Sequence, residues 1–432
     1  MARKVFISFL GASNYGECTY VRSPFKSEST RYIQVATLEY LEAKKWNSTD
    51  VALILLTDTA EKRNWVDNGH KDDDGNVIEQ TGLKSELEKM HLPIELKPIK
   101  NLPNGNNEEE IWSIFTSLYG RLEEGDELYF DLTHGFRYLP MLVLVMGNYA
   151  KFLKGATVKN ITYGNYEGRN RNTNEALIVD LMPLTALQDW TFAAADFTKN
   201  GNGDRLEKLT KEQVKKESQL TKKQIARYEE FASSIKSVVE DFKTCRGVNI
   251  ARLVNINKMN RIMDYINSIN KEIVPLSYIL QEINKNFSLF HDNEEVANGF
   301  RAVDWCLKHG LLQQATTMLE ETIVTFFAIR HGICIQDHRM RDCVNNAIWI
   351  CSNEFENKYE EWNQNAKDNK LIIQSLLEDD KMTRVFCSRF RTLAEGTRND
   401  INHAGMRCNP KTSKDLEKET KNMFEYFRSY CV

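Results

Sequence analysis

Two short runs in this 432-residue chain carry side chains whose types and spacing could do chemistry. The first is Asp131-Leu132-Thr133-His134-Gly135, followed by Phe136-Arg137-Tyr138. An apolar strand ending in polar residues, then glycine, then an apolar helix, is the layout of an anion site. Gly135 permits a tight turn and close backbone approach. Amides at the start of the following helix point outward and favour a negative ligand. Thr133 and His134 donate hydrogen bonds, and Arg137 supplies a fixed positive charge for phosphate. The loop from Gly11 to Gly16 follows another apolar run, with Ser13 and Asn14 as small polar groups and Tyr15 as a face for a base. Taken alone, the same pattern also describes an ordinary strand-to-helix turn with a capping threonine.

The second run is Arg398-Asn399-Asp400-Ile401-Asn402-His403. Histidine titrates near neutrality and can move a proton to or from a ribose 2′-hydroxyl or a leaving oxygen. Arginine stays charged and its fork can stabilise a pentacoordinate phosphate. Asn399 and Asn402 are placed to hold the phosphate or orient the histidine. An offset of five residues turns about 140° on an ideal helix, so the two side chains do not share a face. Either the helix end is distorted near Gly405, or a second copy of the protein completes the site; the second arrangement is the expected one. One such run in a long charged protein more often describes a solvated arginine and a capping histidine. Glu320 and Glu321 fall on a helix expected near this run, with solvation favoured over a contact to Arg398.

The elements that must position these residues fall into two halves. Strands are expected at Val5–Gly11, Val51–Asp58, Ile94–Ile99, Asp126–Asp131, Ile161–Tyr163 and Ala176–Leu181. Helices are expected between them at Thr30–Trp46, Ile78–Met90, Glu108–Leu122 and Phe136–Leu153, with His70–Asn76 as a surface loop. The near-continuous apolar run VALILLT marks a strand covered on both faces. Alternating strands and helices predict a mostly parallel, Rossmann-like α/β sheet, whose ligands sit beyond the carboxyl ends of the strands. From Pro183 the pattern is helical only: a long, mostly exposed helix over Leu206–Phe242, then Ala297–Ile333, Lys381–His403 and Ser413–Tyr430. The division expected is 1–182 for the α/β sensing domain, 183–290 for a helical connector and 291–432 for an all-α domain.

Composition narrows the function classes. Hydrophobic residues make up 41% and charged residues 27%, a globular balance. No apolar run reaches the roughly 18–20 residues needed to span a bilayer, and the amino terminus reads as a strand, so no membrane role and a cytoplasmic place are expected. Nine cysteines without C-x-x-C spacing argue for reduced thiols, with neither zinc nor disulfides. The net charge of -4 speaks against coating of nucleic acid and for a local site. The lysines at 211, 215, 216, 222 and 223 are interleaved with acids and read as a solvated helix.

Together and in this order, the two runs resemble one family. Asp131 to Gly135 looks like the D-x-T-H-G signature of CRISPR-associated CARF proteins, and Arg398 to His403 resembles the R-x4–6-H run of HEPN ribonucleases. The resemblance implies a CARF domain, a connector and a HEPN domain, as in the auxiliary nucleases of type III CRISPR defence. It implies homodimers or assemblies of dimers, with a cyclic oligoadenylate activator held on the two-fold axis. It also implies metal-free cleavage of single-stranded RNA by 2′-hydroxyl attack, leaving a 2′,3′-cyclic phosphate, with no cofactor. Carried over residue by residue, Gly11, Ser13, Asn14, Tyr15, Thr133, His134, Gly135 and Arg137 fall in the ligand site, and Arg398, Asn399 and His403 in the nuclease site. Two other functions stay open: a sensing protein that regulates a partner or DNA without cutting RNA, and a CARF domain that degrades its own messenger.

Overall fold

The computed structural model describes residues 2–135, 138–215, 220–268, 281–283, 285–406 and 408–432. The chain divides into two compact units, Met1–Leu187 and Gln188–Val432.

The first unit is built on a sheet of eight strands: β1 (Lys4–Leu10), β2 (Cys18–Arg22), β3 (Phe25–Thr30), β4 (Val51–Thr57), β7 (Glu95–Leu102), β8 (Glu127–Asp131), β9 (Thr157–Asn170) and β10 (Glu175–Asp180). The two-residue strands β5 (His70–Lys71) and β6 (Val77–Ile78) form a separate hairpin. Sheet order is β3-β2-β10-β9-β8-β1-β4-β7. The run β9-β8-β1-β4-β7 is parallel throughout. β10 lies antiparallel to β9 and carries the β2–β3 hairpin beyond it.

Period-two alternation explains why both faces of the central strands are apolar. Val5, Ile7 and Phe9 of β1, with Val51, Leu53 and Leu55 of β4, enter the core that also holds Ile114 and Leu118 of the Glu108–Tyr119 helix and Val143 and Met146 of the Leu139–Leu153 helix. Phe6 and Leu10, with Ala52, Ile54 and Leu56, enter the opposite core beside Leu38 of the Ile33–Tyr40 helix and Leu83 and Leu87 of the Leu83–Lys89 helix. The expected α/β fold is therefore present. The expected helix over Thr30–Trp46 is shorter: it is preceded by the β2–β3 hairpin and ends where Glu42 adopts a left-handed conformation. β9 is a 14-residue strand where three residues were expected, because polar positions that would mark a loop pair with β10. The His70–Asn76 loop instead starts with a paired strand and a buried His70.

The second unit is helical, and its core runs from Trp190 to Phe427. The expected long helix over Leu206–Phe242 is two helices, Asp204–Val214 and Lys222–Lys243, the latter opened by a capping box between Thr221 and Gln224. Nor is it mostly exposed: Phe231, Ile235, Val238 and Phe242 are buried. The helix packs against the Asp204–Val214 and Val254–Ser268 helices, which cover its apolar stripe. The Ala297–Ile333 segment is likewise two helices, Glu295–Lys308 and Leu312–Arg330, separated where Gly310 takes a positive φ of 69°. Among the described residues, no helix is long and apolar enough to cross a membrane.

Candidate functional sites

The α/β unit holds a cleft of about 560 Å³ at the carboxyl ends of β1, β4, β7 and β8. It opens where the chain order reverses: β4 flanks β1 on one side and β8 on the other, the switch point at which such sheets bind ligands. Of the expected ligand residues, Gly11, Ser13, Tyr15, Thr133, His134 and Gly135 line it. Asn14 is not among the lining; it is exposed, and its Oδ1 accepts from Arg31 at 3.3 Å. Arg137 lies outside the described residues.

Register explains how the signature loop is held. Ser8 of β1 stands opposite Asp131 of β8, and its hydroxyl donates to Asp131 Oδ2 at 2.7 Å. Gln34 Nε2 donates to Ser8 Oγ at 3.1 Å. Asp131 is fully buried, and desolvation pushes its carboxyl above the ordinary range despite the donors around it. The Thr133 hydroxyl donates to Asp131 Oδ1 at 2.6 Å and accepts from the Gly164 amide at 2.7 Å. Thr133 thus spends its hydroxyl on fastening β8's end to β9, so its first duty is to shape the loop. Gly135 is required twice over, by a φ of 116° and by a neighbour, Leu139, that a Cβ would meet at 2.5 Å.

His134 stacks on Tyr15, with ring centroids 3.9 Å apart and planes 19° off parallel. The residue keeps some exposed surface, but its Nε2 has none and meets no hydrogen-bond partner among the described residues. Desolvation lowers its pKa to about 4, so the ring is neutral at pH 7. The Tyr15 hydroxyl bonds the Gly11 backbone, and a Cβ at Gly11 would meet that oxygen at 2.4 Å. Sequence reasoning missed the supports behind this wall. Asn64 Nδ2 donates to the carbonyls of Gly11 and Ser13 at 2.9 and 2.8 Å, and its Oδ1 bonds His70 Nε2 at 3.0 Å. Tyr138 donates to the Asn104 carbonyl at 3.0 Å and closes another side. No spacing rule reveals them, because they converge only through tertiary packing.

In the helical unit, the Arg384–Arg391 helix passes into a π-helical turn, Thr392–Arg398, and resumes as Asn399–Asn402. Such turns re-aim the side chains that follow and recur at functional sites. Arg398 and Asn399 line a cleft of about 430 Å³. Contrary to the expected solvation of Glu320, this residue is largely buried and pairs with Arg398, Oε2 to Nε at 3.0 Å, off the line of a hydrogen bond. Arg398 Nη1 donates to Asn399 Oδ1 at 3.0 Å. Burial raises the Glu320 pKa, and Arg398 opposes the shift. Glu321 turns elsewhere and pairs with Arg341.

His403 caps the short helix and is exposed, outside the lining of the Arg398 cleft. The positive φ values of Ala404 and Gly405 turn the chain away immediately after it. Asp400, overlooked in the sequence, is 2% exposed and fixes this turn by accepting from the Lys411 amide at 2.9 Å. Arg398 and Asn399 thus share a cleft within one chain, and His403 does not join them there.

A mostly parallel sheet with a cleft at its switch point gives the first unit a Rossmann-like architecture. Residues 5–167 match the family described as "CRISPR system endoribonuclease Csx1, CARF domain". The CRISPR-associated protein MJ1674 of Methanocaldococcus jannaschii is 30% identical over 209 residues, which cover 46% of this chain and 32% of that protein. The chain therefore spans about a third of the curated relative it matches. The solved structure of Enterococcus italicus Csm6 bound to cyclic hexa-2'-fluoro-hexa-dAMP aligns over 100% of this chain and 94% of that one, at 10% identity and a TM-score of 0.41. The resemblance to CARF proteins of CRISPR systems is borne out over residues 5–167.

Proposed function

We propose that this chain is a metal-independent endoribonuclease of CRISPR defence, switched on by a cyclic oligoadenylate at the CARF cleft. The observation that carries the reading is the split placement of the second run. Arg398 is held by Glu320 inside a polar cleft, while His403 stands exposed at the helix end. A second copy in a homodimer brings another Arg398 and His403 to the same phosphodiester. Two identical surfaces meeting on a two-fold axis build one site twice, and the same symmetry suits a cyclic activator.

In that shared site His403 accepts the 2′-hydroxyl proton and the 2′-oxygen attacks phosphorus. Arg398 carries the negative charge of the pentacoordinate phosphate, helped by Asn399. The P–O5′ bond then breaks, a histidine returns the proton to the leaving oxygen, and a 2′,3′-cyclic phosphate remains. In this reading residues 183–290 serve as the connector and 291–432 as the HEPN-like domain. At the CARF cleft, Tyr15 and the neutral His134 present ring faces to an adenine, and the backbone of the Gly11 and Gly135 loops approaches phosphate. Activation requires the ligand to bind the active arrangement more tightly than the resting one.

The test is cleavage of single-stranded RNA in EDTA, with and without cyclic oligoadenylates of different ring size. Activator-dependent cutting that disappears in Arg398→Ala and His403→Ala, with activator binding retained, is the expected result. Full cutting by both variants would remove these residues from the chemistry.

A further inference from the structure

Resting on the ribonuclease reading, we infer that the cleft beside Arg398 is a subsite for one unpaired RNA base next to the scissile phosphate, read by Asn346 and Asn345.

The charges in the cleft cancel. Its lining holds two arginines, Arg391 and Arg398, and two carboxylates, Glu320 and Glu395. Each arginine is paired with one of them: Arg398 with Glu320 at 3.0 Å, and Arg391 with Glu395 through two bonds of 2.8 and 3.0 Å. A phosphate seated inside would meet both carboxylates along with the cations. A neutral group with donors and acceptors on its edge fits better, and a nucleobase is such a group.

What remains for recognition is amides and an indole. Asn345, Asn346 and Asn363 line the cleft with Trp349. Asn346 is fixed on both sides: its Oδ1 accepts from Asn363 Nδ2 at 2.6 Å, and its Nδ2 donates to Asn365 Oδ1 at 2.9 Å. Asn363 is itself fixed, its Oδ1 capping the Gln364–Asp368 helix at the Ala366 amide. This chain of amides sets the orientation of Asn346 and leaves it one N–H and one lone pair for a ligand. A donor and an acceptor on one amide are the groups that meet a base edge. Unpaired RNA bases are held in this way, splayed out, stacked on an aromatic ring and hydrogen-bonded along an edge. The volume of about 430 Å³ lies within the range of small-ligand clefts, about 300–1,000 Å³. Because Arg398 forms part of the same wall, a base seated here puts its own phosphate next to the guanidinium.

Two measurements test the subsite separately from the nuclease reading. In the first, full-length His403→Ala protein is titrated with short single-stranded RNAs that differ in one base. The expected result is a Kd that depends on that base; adding Asn346→Ala or Asn345→Ala weakens binding about tenfold and flattens the dependence. Asn345 lies outside the amide chain described above, so its variant guards against a folding defect in the other. Unchanged affinity and base dependence in both variants overturns the subsite. In the second, the protein with intact His403 is assayed for activator-dependent cutting. The variants should raise KM about tenfold and scatter the cut sites, with kcat within about twofold. Parental KM and cut sites in both variants also overturn the subsite, whereas base-dependent binding without any cutting overturns only the ribonuclease reading.

Discussion

Replacing Glu320 with glutamine removes the charge that holds Arg398 while keeping its shape. Glu320 sits on the Leu312–Arg330 helix with 13% of its side chain exposed, against 34% for Arg398. At the observed 3.0 Å and an effective dielectric of about 20, the gross attraction is about 5–6 kcal/mol. Taking the carboxylate out of water offsets it: burial is the largest influence on Glu320 and keeps its pKa above the ordinary value, against the pull of Arg398. A raised folded-state pKa contributes stability that is present below the unfolded pKa and lost as pH rises through the folded one. At neutral pH the ion pair therefore adds little to folding. E320Q should keep its stability within about 1 kcal/mol, because the half-exposed arginine can recover water. Activity is a different matter. Arg398 loses the group that aims it, and kcat should fall about 10–100-fold, or about 1.4–2.7 kcal/mol of transition-state stabilisation. KM should change little. Acid also protonates Glu320 in the parent, so the parent's loss of activity on acidification should exceed that of E320Q. The assay is steady-state RNA cleavage across pH with saturating activator, beside thermal melts of both proteins. Parental kcat in E320Q, or an equal loss on acidification, would refute the claim that this carboxylate positions Arg398.

Other expectations follow from the CARF cleft. His134 is neutral when folded, with a pKa lowered by burial to about 4. A depressed histidine pKa costs stability as pH falls from the unfolded value toward the folded one, by up to about 3 kcal/mol over the pH window of about 6.5 to 4. Denaturant melts of the parent should show this loss, and His134→Leu should remove it. Asp131→Asn puts an amide where two hydroxyls donate, and should destabilise by about 1–3 kcal/mol; an unchanged melting temperature would contradict the network. Gly135→Ala forces a side chain into a positive-φ turn against Leu139, and should cost about 1–3 kcal/mol and weaken activator binding measured by calorimetry. Sedimentation should report a dimer or a multiple of it, and a monomer that still cuts RNA would refute the shared site.

Much of the α/β unit was legible in the sequence because its central strands are apolar on both faces and punctuated by glycine, so type and order follow from pattern alone. The turn at Asp131 through Gly135 was legible as the polar end of such a strand, although the pattern alone did not separate a ligand loop from an ordinary strand-to-helix turn. The β2–β3 hairpin and the length of β9 were not, since edge strands carry polar residues that read as loop until a neighbour pairs with them. The helical unit gave up its content but not its breaks, because a left-handed glycine at Gly310 inside an apolar periodicity leaves little trace in composition.

What the chain determined by itself was therefore the local repertoire: the central strands, the helical content, and which side chains could do chemistry. Tertiary structure decided how those side chains are used. Thr133 became a fastener, because register put Asp131 and Gly164 within reach of its hydroxyl. Glu320, 78 positions before Arg398, became its counter-charge, because two helices brought them to 3.0 Å. His403 was left outside the cleft of its own chain by the turn that Asp400 anchors. Contacts between residues far apart in sequence depend on packing, and packing is set by the whole core, which no short window of sequence contains.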